Sequence, residues 1–120
     1  MKKIILVEDD KTMQSLIKTL LEFEGFLTIL PSEMQTRVIL EEIKNTNPEA
    51  IIMDVNLRQV SGLEVLTEIR NCEETKTIKV MMSSGLDRRD DCLKAGADGF
   101  LQKPYMPDQL INWLKSITES

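Results

Sequence analysis

Four apolar residues, Ile4-Ile5-Leu6-Val7, run without a polar interruption and stop in three acids, Glu8-Asp9-Asp10. A run with no alternation predicts a strand covered on both faces, as in the interior of a parallel sheet. The pattern returns at Ala50-Ile51-Ile52-Met53, which delivers Asp54. Open α/β sheets bind ligands in the crevice beyond the carboxyl ends of their strands, so both sets of carboxylates fall in that crevice. Carboxylates crowded together repel unless a cation or a proton sits among them. A hard divalent cation that prefers oxygen suits such a place, and Mg²⁺ is the first choice.

Strands and helices alternate five times along the chain. The first strand is expected over Lys3–Glu8. A helix follows with Met13, Leu16, Ile17, Leu20 and Leu21 at helical spacing, started by Asp9 or Asp10 and stopped at Gly25. A strand over Phe26–Leu30 ends at Pro31. Ser32 with Gln35 has the form of a capping box for a second helix, whose stripe is Met34, Val38, Ile39 and Ile43. Ala50–Asp54 is the third strand, and the polar stretch Val55–Ser61 leads through Gly62 into a helix with Leu63, Leu66 and Ile69. The fourth strand, Ile78–Met82, runs into Ser83-Ser84-Gly85, and a helix poor in apolar residues covers Asp87–Ala95. Gly99–Gln102 is the fifth strand, and the last helix starts near Pro107 with Leu110, Leu114 and Ile117 inward. Five such units predict an α/β domain, one parallel sheet with helices on both faces.

Composition removes several classes of function. The chain has no histidine, which excludes Ser-His-Asp and Cys-His catalysis and any His-ligated metal. A net charge of -5 is wrong for a surface that grips nucleic acid. The leading Met1-Lys2-Lys3 resembles a secretory leader, but the apolar run stops after four residues. No stretch is long enough to span a bilayer, so a cytoplasmic location is expected. Cys72 and Cys92 lack CxxC spacing and read as reduced structural thiols. At 120 residues the chain is expected to be one domain over 1–120.

Taken in order, Ile5-Leu6-Val7-Glu8-Asp9-Asp10, Ile52-Met53-Asp54-Val55-Asn56, Gly62, Met82-Ser83-Ser84-Gly85 and Gly96-Ala97-Asp98-Gly99-Phe100-Leu101-Gln102-Lys103-Pro104 resemble a response-regulator receiver domain. The resemblance covers essentially the whole chain. It implies a flavodoxin-like, doubly wound (βα)5 sheet of strand order 2-1-3-4-5. It implies that Asp54 accepts a phosphoryl group and that Asp9 and Asp54 bind Mg²⁺ directly. Glu8 would act through water, and the Asn56 carbonyl would complete the protein ligands. Ser83 and Lys103 would contact the phosphoryl oxygens, and Ser83 and Phe100 would be the switch pair. It also implies a cis Lys103-Pro104 bond.

The implied function is a phosphorylation-activated signalling switch that catalyses only its own phosphorylation and dephosphorylation. The donor would be a sensor histidine kinase or histidine phosphotransfer protein, and a downstream target protein would read the face formed by the fourth helix, fifth strand and fifth helix. Arg88, Arg89, Tyr105 and Trp113 are the candidate partner-binding residues, with monomer or phosphorylation-dependent dimer as the assembly. No nucleic acid or membrane is contacted directly on this reading. Alternatives remain: an interaction module that works without phosphorylation, the receiver part of a larger transcriptional or enzymatic regulator, or a flavin carrier or Mg²⁺-dependent phosphatase.

Several residues keep plainer readings. Asp10 suits a helix start, Phe100 suits strand core, and Trp113 suits either packing or an interface. The run Asp87-Arg88-Arg89-Asp90-Asp91 suits a solvated helix face. Arg58 stands where the family usually has Pro, which loosens the loop and brings a cation toward the acids. Ser84 replaces a usual Ala or Gly and is expected beside the phosphoryl approach path, while Gly85 leaves that path open to water.

Overall fold

The computed structural model describes residues 1–118. Its five strands are β1 (Lys3–Val7), β2 (Leu27–Ile29), β3 (Ala50–Asp54), β4 (Lys79–Ser84) and β5 (Gly99–Gln102). They form one parallel sheet in the order β2-β1-β3-β4-β5, the order the family resemblance implies. The helices α1 (Lys11–Phe23), α2 (Thr36–Thr46), α3 (Gly62–Asn71), α4 (Arg89–Lys94) and α5 (Pro107–Thr118) follow the strands in turn.

The unalternated strands explain the two-sided packing. Successive side chains of a strand point to opposite faces. Ile4, Leu6, Ala50, Ile52 and Met81 pack with Ile17, Leu21, Leu110 and Leu114 of α1 and α5. Ile5, Val7, Ile51, Met53, Val80 and Met82 pack with Ile39, Ile43, Leu66 and Ile69 of α2 and α3. All five residues of β3 are buried, so Ile51, Ile52 and Met53 stabilise by roughly 1.5–3 kcal/mol each and hold the acidic end of the strand in place.

Local chemistry sets the helix ends. Asp10 is the N-cap of α1, and its Oδ1 accepts from the Met13 N–H at 3.0 Å. Ser61 caps α3 through the Leu63 N–H at 3.2 Å. The chain leaves α1 through Gly25, at φ +92°.

Four expectations need correction. The Ser32–Gln35 capping box does not form; α2 begins at Thr36, and Gln35 is its N-cap with no side-chain bond. Gln35 has the extended backbone that precedes a first turn, so the helix cannot begin before it. Helix α4 spans six residues instead of nine, because Cys92 is its one buried residue and little packing holds further turns. Strand β4 continues to Ser84, since Ser83 and Ser84 still pair with Leu101 and Gln102. Leu16 lies on the predicted stripe of α1 but is exposed.

Candidate functional site

β1 and β3 are neighbours, and Val7 is level with Met53. The next residues, Glu8 and Asp54, therefore leave the sheet at the same height. Asp54 is level with Ser83 on β4. Alternation carries Glu8, Asp54 and Ser83 to the side of Leu6, Ile52 and Met81, the face covered by α1 and α5. Lys103 follows β5 directly, ahead of a cis peptide bond to Pro104.

Lys103 closes the cluster. Its Nζ donates to Glu8 Oε1 at 2.8 Å and to Asp54 Oδ2 at 2.9 Å. Both carboxylates are buried, Glu8 2% and Asp54 8% exposed, and a buried charge persists only when paired and hydrogen-bonded. Burial pulls the ammonium pKa down, but the hydrogen bonds and charges of Glu8 and Asp54 outweigh it and leave Lys103 above its usual value. Glu8 is pinned further, with Oε2 accepting from the Asp10 N–H at 3.1 Å and its carbonyl from Gln14 Nε2 at 2.8 Å.

The loop between β3 and α3 holds the other side. The Asn56 N–H donates to Asp54 Oδ1 at 3.0 Å, and the Arg58 N–H donates to Asp9 Oδ2 at 2.7 Å. Arg58 thus reaches the acids through its backbone, while the residue as a whole is exposed. The loop closes with the Gly62 N–H on the Val55 carbonyl at 2.8 Å. A Cβ on Gly62 would collide with the Asp54 carbonyl oxygen, so only glycine lets α3 start this close to the acid.

The donor set suits a hard dication. Three carboxylates (Glu8, Asp9, Asp54) face one ammonium, leaving two excess negative charges. Among the described residues no three His, Cys, Asp or Glu side chains could by themselves hold a metal. A cation here must draw on backbone and water oxygens as well, which is how Mg²⁺ is usually held.

Other candidate residues fall around this cluster. Ser83 is 3% exposed, and its hydroxyl makes no hydrogen bond to the described residues. Phe100 is buried in the cluster that includes Cys92 of α4, on the opposite face from Asp54. The Arg89 guanidinium lies 6.0 Å from its ring centroid and donates to its carbonyl at 3.3 Å. Arg88 pairs with Asp91 at 2.9 Å. Tyr105 and Trp113 are half-buried in the α1–α5 layer, and a Cβ on Gly99 would lie 3.3 Å from Trp113 Nε1. Arg89 and Trp113 thus border β5 from its two faces, away from the acids.

Ser84 is not beside the approach to Asp54. It is fully buried, and its hydroxyl accepts from Asn56 Nδ2 and from the Leu86 N–H, each at 3.2 Å. Sequence reasoning also missed Arg70, whose Nη2 meets Asp98 Oδ2 at 2.9 Å while its other nitrogens bond the carbonyls of Gly96, Lys76 and Ile78. A hydroxyl just before a glycine turn was the available sign for Ser84; Arg70 had none, since its partners are mostly backbone.

Comparisons with known proteins agree with this fold. The family profile described as response regulator receiver domain matches residues 4–115. The transcriptional regulatory protein CpxR of Klebsiella pneumoniae is 31% identical over 98% of this chain and 49% of its own length. The chain therefore spans about half the length of the curated relatives it matches. A crystal structure of a putative response regulator from Chloroflexus aurantiacus superposes with a TM-score of 0.87 at 25% identity, covering 97% of this chain and 96% of the other. The receiver domain of a sensor histidine kinase from Pseudomonas aeruginosa, solved with magnesium coordinated in its active-site cleft, gives 0.86 at 26% identity, covering 99% and 98%.

Proposed function

Because the chain belongs to the response regulator receiver domain family, we propose that it is a phosphorylation switch whose phosphoacceptor is Asp54. The observation that carries this reading is the buried Lys103 ammonium suspended between Glu8 and Asp54, with Asp9 alongside. An Asp54 oxygen attacks the phosphorus of a partner's phosphohistidine. The new O–P bond forms as the N–P bond breaks, and that electron pair returns to the partner's imidazole. The attacking oxygen belongs to a carboxylate that already accepts a hydrogen bond from the Lys103 ammonium. Lys103 can follow the charge onto the phosphoryl oxygens, and the Ser83 hydroxyl is free to bond one of them. Asp9, Asp54 and the Asn56 carbonyl would hold Mg²⁺, with Glu8 acting through water, and the ion would supply the positive charge that lets two anions meet. Positioning and charge then provide most of the catalysis.

Recruiting Ser83 and Lys103 to the phosphoryl group biases the protein toward a second arrangement of β4 and β5, in which Phe100 turns with Ser83. The responding face is α4, β5 and α5, where Arg88, Arg89, Tyr105 and Trp113 lie. The donor is a sensor histidine kinase or a histidine phosphotransfer protein, and a downstream protein reads the change. We place the protein in the cytoplasm, as a monomer or a phosphorylation-dependent dimer. The half-length match to CpxR favours one further reading, that these residues are the receiver part of a longer transcriptional regulator.

Intact mass after exposure to acetyl phosphate, with and without Mg²⁺, tests the proposal. One phosphoryl adduct that requires Mg²⁺ and is absent from Asp54→Asn is expected. No adduct on the wild-type protein, or an adduct that survives in Asp54→Asn, overturns it and favours a module that works without phosphate on Asp54.

A further inference from the structure

The loop after β3 touches the acids twice, both times through its main chain. The Asn56 N–H donates to Asp54 Oδ1 at 3.0 Å, and the Arg58 N–H donates to Asp9 Oδ2 at 2.7 Å. The second bond is short, as hydrogen bonds to an ionised acceptor are. The Asn56 carbonyl lies between these two N–H groups along the chain. Lys103 pairs with Glu8 and Asp54 and leaves Asp9 aside, so the Arg58 N–H is what ties Asp9 to the rest of the cluster. A proline, which the family usually has at this position, carries no N–H with which to make that bond.

We propose that Arg58 is a positioning residue for Mg²⁺: its backbone N–H, not its guanidinium, holds Asp9 ready for the ion and raises the affinity of the site. The proposal rests on Asp9 and Asp54 sharing that ion. With Oδ2 held by the loop, Asp9 has already given up the rotamer freedom that binding a cation would otherwise cost, and Oδ1 stays available. The donated hydrogen also offsets part of the repulsion Asp9 meets from Glu8 and Asp54. One short stretch of loop grips both carboxylates, so it sets their spacing and places the Asn56 carbonyl with them. Partners that hydrogen-bond a metal ligand from behind commonly decide about ten- to one-hundredfold of the affinity.

The test compares Arg58→Pro with Arg58→Ala by calorimetric titration with Mg²⁺. Both lose the guanidinium, so its repulsion of the cation cancels, and only Arg58→Ala keeps the N–H. Arg58→Pro should bind Mg²⁺ about tenfold more weakly than Arg58→Ala. Without Mg²⁺, the NMR resonance of the Asp9 carboxyl carbon should move in Arg58→Pro and stay in place in Arg58→Ala, a local change that loosened packing elsewhere does not produce. In the wild-type protein, the Arg58 amide should remain protected from hydrogen exchange at saturating Mg²⁺, a reading that stands even where Arg58→Pro is poorly folded. Equal Mg²⁺ affinities in the two variants, or an Arg58 amide that loses protection as Mg²⁺ binds, overturn the proposal while leaving Asp9 and Asp54 as ligands. Wild-type protein that binds Mg²⁺ no more tightly than Asp9→Asn and Asp54→Asn overturns the shared ion and the proposal together.

Discussion

Thr28 is buried in the edge strand β2, and its hydroxyl is cut off from solvent with no partner among the described residues. An unmade hydrogen bond in the interior costs stability, whereas a methyl of the same shape does not. Thr28→Val should raise stability by about 1 kcal/mol, read as a higher urea midpoint with an unchanged slope; a lower midpoint would contradict the burial. Tyr105 shows the effect of burial on charge. Burial pushes its phenol above the usual value of 10.0, against the opposing pull of Lys103. Its folded pKa therefore exceeds the unfolded one, so above pH ~10 the unfolded chain releases its proton first and stability falls as pH rises. Tyr105→Phe should flatten that decline; equal alkaline slopes in denaturant titrations of the two proteins would refute this account.

At the scale of elements, Arg70 ties the end of α3 to the turn between α4 and β5. It bonds three backbone carbonyls and Asp98, and Asp98 Oδ2 in turn accepts the Val80 N–H at 2.8 Å. Gly96, at φ +105°, lets the turn pass against the Arg70 stem. Arg70→Ala should cost about 1–3 kcal/mol, because it removes charge-assisted hydrogen bonds that are part-buried at the Gly96 and Ile78 carbonyls. Lys76→Ala, which breaks only an exposed pair with Glu73, should stay within about 0.5 kcal/mol in the same thermal melts. The contrast also marks what a sequence can display. Strands β1 and β3 were legible because unbroken apolar runs have one natural use in a parallel sheet. The late start of α2 and the shortness of α4 were not, since both depend on how much packing the neighbouring layer offers. Arg70 was hidden for a different reason: main-chain carbonyls leave no mark in the order of residues.

Across the whole molecule, Glu8, Asp54, Ser83 and Lys103 meet only through the register of β1, β3, β4 and β5. The residue types were readable from their strand-end positions, and the family resemblance implied the order in which they meet. The Lys103 bridge and the backbone grip on Asp9 were not, because both depend on where loops settle. A ligand that binds only the folded state adds stability, about 2.7 kcal/mol at one hundred times its dissociation constant. Millimolar Mg²⁺ should therefore raise the melting temperature of the wild-type protein, and Asp9→Asn and Asp54→Asn should each abolish most of that rise. An equal rise in all three proteins would place the ion elsewhere. The contact between Glu8 and Lys103 joins positions 95 residues apart. A chain still emerging from the ribosome, or one cut in its middle, lacks one half of that handshake. Under the proposed function, phosphate uptake at Asp54 is thereby expected only from chains that contain both positions.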